Sequence, residues 1–182
     1  PGMLDIHQIS TGRGNAGLYI FPDGTSLLVD AGELPGPNPQ HTPARPDDSR
    51  RASQWVVRYI RHALRHDPQP ALDYVLLTHF HQDHMGEVAA GMPVSPHGYT
   101  LTGVTRVVED LKVGKLLDRG WPDYINAVRA ESPFMKNYLA CVKWQAENNG
   151  LQVERFVPGR SDQVVLRRQP QKYPQFEFRN VA

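Results

Sequence analysis

The chain has 182 residues, a net charge of +1, 40% hydrophobic residues and one cysteine. That length can bury a real core in one domain. The near-neutral charge excludes a global polyelectrolyte, the single Cys141 excludes an internal disulfide, and no apolar run approaches the ~20 residues of a membrane span.

Leu4–Ile9 reads as a short strand. Residues 18–21 and 26–30 flank Pro22-Asp23-Gly24-Thr25, which is hairpin chemistry. Residues 34–49 hold five of the 16 prolines and little apolar content, so a loop is expected there. A helix should follow from Arg50 to His66, capped by Asp48 or Ser49, with Val56, Tyr59, Ile60 and Ala63 as its buried stripe. Pro68 and Pro70 end it. Leu72–Thr78 is the next strand, and a helix is expected to start over Gly86–Ala90. Beyond it, Thr102–Leu111 reads as a helix and Val113–Leu117 as a strand. Ser132–Asn148 reads as a helix with Ser132 as cap and Pro133 at its first position. Its inward stripe is Phe134, Tyr138, Cys141, Val142 and Gln145. Val153–Val157, Gln163–Leu166 and Phe176–Val181 suggest a small antiparallel sheet.

Chemistry concentrates at residues 78–86, Thr-His-Phe-His-Gln-Asp-His-Met-Gly. Imidazole suits zinc and related transition metals, and a carboxylate adds charge and oxygen donation. On an extended backbone His79 and His81 point the same way and can grip one ion. Asp83 and His84 come just beyond and can turn toward a second ion roughly 3.5–4 Å away.

At these residues the chain resembles the metallo-β-lactamase superfamily of metal-dependent hydrolases. The signature T-H-x-H-x-D-H-x-G is matched from Thr78 to Gly86. Leu27-Leu28-Val29-Asp30-Ala31-Gly32 is similar to that family's strand-end motif, in which the Asp supports the metal loop without ligating. Gly12-Arg13-Gly14-Asn15-Ala16 resembles the G-x-G-D-[AS] turn of hydrolase domains attached to bacterial DNA-uptake channel proteins, with Asn15 in place of Asp. The likeness covers residues 4–92.

The resemblance implies an α/β fold: the N-terminal ββα half of an αββα metallo-β-lactamase sandwich, with an additional α+β segment. Residues 1–97 would be the core half and residues 98–182 a family-specific segment of one truncated domain. It implies zinc, two per complete site, or manganese, held by His79, His81, Asp83 and His84, with Asp83 also serving the reaction. The nucleophile would be a metal-bound hydroxide, and the substrate a small-molecule or nucleic-acid phosphodiester. Hydrolysis of an ester, lactone or β-lactam, or a non-catalytic metal-binding or interaction domain, are the alternatives. After His84 only His97 remains, in a loop, so the later ligands of the family site are missing. Weak metal binding and an inactive isolated chain are therefore expected. A lone half should also leave a sheet face or edge uncovered, which favours a homodimer. No localisation follows beyond a soluble chain.

Four other features bear on function. Arg51, Arg58, Arg61 and Arg65 share one helix face, either simply solvated or reading phosphates. Cys141 reads as a packed thiol, and His7 as a core or edge residue. Trp55, Trp121 and Trp144 read as anchors rather than base-stacking platforms.

Overall fold

The structure is a computed structural model and describes residues 2–36, 39–125 and 131–181. It is an α/β fold built on one six-stranded mixed sheet in sequential order: β1 (Asp5–Gln8), β2 (Gly17–Ile20), β3 (Ser26–Val29), β4 (Leu72–Leu76), β5 (Val113–Asp118) and β6 (Gln152–Arg155). The first three strands pair antiparallel, with the hairpin at residues 22–25 setting a register of Leu18 against Leu28. From β3 onward all pairings are parallel. Parallel neighbours need crossovers, and helices α1 (Ala52–Ala63), α3 (Gly103–Asp110) and α4 (Pro133–Asn148) supply them.

The helices cover one face. Val56, Val57 and Ile60 of α1, Val104, Val107 and Val108 of α3, and Met135, Tyr138 and Val142 of α4 close over Leu28, Val75 and Leu116. The stripe of α1 differs from expectation in one member. Val57 is buried, whereas Tyr59 is 40% exposed and meets the His7 ring through its hydroxyl, 2.9 Å from Nδ1. The helix is also capped at Arg51 rather than at Asp48 or Ser49. The Arg51 guanidinium is drawn to the buried Glu33 at 2.8 Å, and the Gln54 side chain accepts from the Arg51 backbone N–H at 3.0 Å. Helix α4 begins as expected, with Ser132 Oγ accepting from Met135 N, and all five residues of its expected stripe are buried.

The helix expected over Gly86–Ala90 does not form. A single turn, α2 (Gln82–Met85), lies before it, and Gly86 ends that turn at φ 102°. The cause is a close approach: a Cβ on Gly86 would stand 2.8 Å from the Gly103 nitrogen.

The C-terminal region departs most from expectation. β6 extends the main sheet in parallel with β5, and residues 163–166 and 176–181 are not strands. Instead this tail crosses the second face of the sheet. Val164 and Leu166, with Phe156, Tyr173, Phe176 and Phe178, pack on Phe21, Leu27, Tyr74, Leu76 and Leu117. Its backbone is satisfied by sheet side chains instead of a neighbouring strand. Tyr74 Oη donates to the Val165 carbonyl at 2.9 Å and accepts from Val165 N at 3.2 Å, and Arg167 N donates to Thr25 Oγ1 at 2.7 Å. The face expected to be left bare is thus buried: Leu27, Tyr74 and Leu117 are each 0% exposed. Among the described residues, exposed apolar side chains cluster on and before the edge strand β1, at Met3, Leu4 and Ile6, and stand singly at Val94, Ile125 and Val181 in loops and the tail. Among the described residues no helix is long and apolar enough to cross a membrane.

Candidate metal centre

The site lies where β3 and β4 end side by side. Both strands finish in apolar runs, residues 27–29 and 75–77, and polar residues follow as the chain leaves the sheet. Asp30 is fully buried and adopts a left-handed backbone conformation, φ 59°. That turn aims its carboxylate across to the next strand's loop. Asp30 Oδ1 accepts from Thr78 N at 2.8 Å, and Oδ2 from Thr78 Oγ1 at 2.8 Å. Oδ2 also lies 2.7 Å from His84 Nδ1. An ionised carboxylate can only accept, so His84 must donate through Nδ1, which leaves Nε2 as the lone-pair nitrogen facing out.

The loop is fixed by backbone as well. Asn15 N donates to the Asp83 carbonyl at 2.7 Å, and Ala31 N donates to that of His84 at 2.9 Å. The two glycine motifs exist for this contact. A Cβ on Gly32 would stand 1.8 Å from the Asp83 carbonyl oxygen, and one on Gly14 would stand 2.6 Å from it. Asn15 adds a side-chain link, donating from Nδ2 to Asp30 Oδ2 at 3.0 Å. An aspartate at position 15 would set a second carboxylate against Asp30, so the amide suits this neighbourhood better.

His79, Asp83 and His84 converge. One ligand atom from each lies within 4.8 Å of the others. His81 caps α2 and stands beside them, its ring edge-on to His79 with centroids 4.7 Å apart. Three of the four expected ligands therefore share one focus, and His81 borders it rather than forming a separate pair with His79. Burial and the neighbouring His84 and His81 hold the His79 imidazole below its ordinary pKa, which keeps it neutral and able to donate a lone pair. Asp83 is half exposed, with Oδ2 3.7 Å from His84 Nε2. Two imidazoles and a carboxylate form a donor set suited to a divalent transition metal. A hollow of about 300 Å³, lined by Arg13, Leu34, His81, Gln82 and Asp83, opens beside the cluster.

His97 stacks face to face on Trp144, centroids 3.4 Å apart, and is not part of the cluster. Two supporting residues carry no motif and were not singled out in the sequence. Glu33 is 2% exposed and ties Arg51 Nε to Thr102 Oγ1 and Gly103 N at 2.8, 3.2 and 3.0 Å. Asp118, at the end of β5, is fully buried. It accepts from Gly120 N, Trp121 N, Tyr124 Oη and Tyr138 Oη at 2.7–2.9 Å. Burial and this carboxylate push both tyrosines well above their ordinary pKa and keep them as donors. The only sequence signal for either acid is its position at or just past the end of an apolar strand.

Comparison with protein-family models finds no match to this chain, and a search of curated proteins likewise finds none.

Proposed function

We propose that this chain carries the metal-binding loop of a metal-dependent hydrolase acting on phosphodiesters. The observation that supports the reading is the convergence of His79, Asp83 and His84 on one point, with Asp30 orienting His84 from behind. His79 and His84 would hold the ion through ring nitrogens and Asp83 through a carboxylate oxygen. A bound divalent ion supplies Lewis acidity and lowers the pKa of a coordinated water toward neutrality. Asp83, open to solvent on one side, would be placed to hold a proton at its second carboxylate oxygen. Arg13 lines the hollow beside Asp83 and can orient a phosphate oxygen. The phosphodiester preference rests on the glycine-turn resemblance and on this arginine.

The test is hydrolysis of bis(p-nitrophenyl) phosphate with added zinc or manganese, set against hydrolysis of a chromogenic β-lactam. Turnover above free-metal background that His84→Ala abolishes supports the reading. β-Lactam turnover without phosphodiester turnover moves the substrate to that class. Tight metal binding at the cluster with no hydrolysis of either leaves a metal-binding domain. That second reading is favoured by the absence of any further histidine from the cluster among the described residues.

A further inference from the structure

The net charge of +1 hides a strongly uneven surface. A groove of about 850 Å³ runs along the outer side of α1, and five arginines line it: Arg45, Arg50, Arg58, Arg61 and Arg106. Asp110 is the acid on its wall, and it is bonded to Arg106 at 2.7 Å. The other four have no carboxylate within ion-pair distance among the described residues, and all four are exposed. Arg61 spends one N–H on the Asp110 carbonyl at 2.8 Å. Arg50 and Arg58 lie over the Trp55 ring, 5.0 and 6.0 Å from its centroid. Stacking of this kind holds guanidiniums in place while leaving their N–H forks free to bind an anion. Asp47, on the adjoining loop, accepts from Ser49 N at 2.9 Å and interacts with Arg50 only at longer range.

The groove continues toward the metal centre. Ser10, Arg45, Arg50 and Trp55 also line a second hollow of about 690 Å³, whose wall includes Asp48 and Leu34. Leu34 in turn lines the hollow beside His81 and Asp83. The three hollows thus adjoin one another, and the arginines mark the part of this path that follows α1 away from the candidate cluster. From Arg50, just before α1, to Arg61 is eleven residues, roughly 16 Å at the helical rise, room for about three or four phosphates of one strand. Four cations with no carboxylate within ion-pair distance among the described residues, two of them over Trp55 and with Tyr59 on the same wall, fit a repeating anion with flat groups between the charges. A single compact anion would need them gathered at one point. Tyr59, 40% exposed on the same wall, offers a ring on which a base can stack.

We propose that this groove binds a single-stranded polynucleotide and leads it to the metal loop. In naming the substrate as a polymer the proposal rests on the phosphodiester reading of the site.

The probe is a fluorescein-labelled 15-mer oligothymidylate, with binding followed by anisotropy on the full chain in EDTA. No hydrolysis can then contribute. The chain should bind with a log K against log [salt] slope of roughly −3, as about four phosphate contacts to a single strand require. Arg50→Gln/Arg58→Gln/Arg61→Gln should flatten that slope by about two. The positions are exposed, and circular dichroism checks that the variant is folded. Lys136→Gln/Lys172→Gln/Arg179→Gln removes the same three charges elsewhere and should bind as the parent does. An unchanged triple-arginine variant, an equal loss in the charge-matched control, or preference for a 15-base-pair duplex or for anionic vesicles would overturn the proposal. The two readings separate cleanly. Turnover of bis(p-nitrophenyl) phosphate without oligonucleotide binding sinks the groove and spares the site, and binding without any turnover does the reverse.

Discussion

Two strands of this sheet end on, or run directly into, a fully buried aspartate, and the two carboxylates are used differently. Asp118 follows β5 and is closed on all sides by two backbone N–H groups and two buried tyrosine hydroxyls. Asp30 follows β3 and meets Thr78, Asn15 and His84. The difference lies in what stands behind each partner. The tyrosines of Asp118 end in the core, whereas His84 has a second nitrogen that faces Asp83 and solvent. A buried carboxylate becomes part of a site when its partner has another hand free. Otherwise it is a clamp.

The comparison breaks most visibly at Asp118. Asp118→Ala would leave two hydroxyls and two N–H groups without an acceptor in the interior. Hydrogen bonds to a charged group contribute about 1.5–3 kcal/mol each, so the loss should be about 3 kcal/mol or more. Urea unfolding measures it, and the metal affinity of the molecules that remain folded should hardly move. Gly32→Ala comes next. Its Cβ cannot coexist with the Asp83 carbonyl at 1.8 Å, so the metal loop must shift. The expected cost is about 1–3 kcal/mol of stability, together with a loss of metal affinity that competition with a chromogenic chelator would detect.

Asp30→Asn sharpens the comparison from the other side. The amide can offer an N–H to His84 Nδ1 and so place the ring proton on Nε2, the nitrogen that should face the ion. Outer-shell changes of this kind lower metal affinity by about 10–100-fold. Zinc titration against a competing chelator should show that drop, with a stability change smaller than that of Asp118→Ala. Parallel changes in both variants would mean that the two aspartates do the same job.

The smallest expected effect concerns the tail over the other sheet face. Burial works against Asp23, but the backbone N–H groups of Gln169, Thr25 and Arg168 outweigh it and hold its carboxyl below the ordinary value. A depressed folded pKa means that this group stabilises the fold above the unfolded value near 3.8, and that the contribution is lost as pH falls through the lower, folded value. Amide protection over residues 164–169, taken relative to the intrinsic exchange rate at each pH, should therefore fall below about pH 4 before that of the helical face.

Much of this was legible in the sequence because it is local. Strand β4, the histidine loop, the hairpin at Asp23-Gly24 and the Ser132-Pro133 start of α4 each follow from neighbouring residues. The α/β class followed with them. The four candidate ligands of the histidine loop were readable as a set, but which of them converge was not. Alternation along an extended chain paired His79 with His81, and it could not foresee that the one-turn helix α2 would swing Asp83 and His84 back onto His79. The tail was misread for a related reason. Residues 163–166 and 176–181 have strand-like composition, yet the backbone of Asn180 bonds within the tail, to Gly159 and Arg160, and that of Val165 and Arg167 bonds Tyr74 and Thr25 on the sheet below. That is a contact across ninety or more positions that no window reveals. Gly86 looked like a helix start, and only the approach of Gly103 makes it a stop.

The central claim is that His79, Asp83 and His84 form one metal site with His84 oriented by Asp30. Long-range ¹H–¹⁵N correlation of the histidine rings during zinc titration tests it directly. The account predicts that His84 binds through Nε2 while Nδ1 keeps its proton toward Asp30, that His79 shifts with it, and that His97 stays unchanged on Trp144. Zinc that leaves His79 and His84 unmoved, or that shifts His97 first, would contradict it.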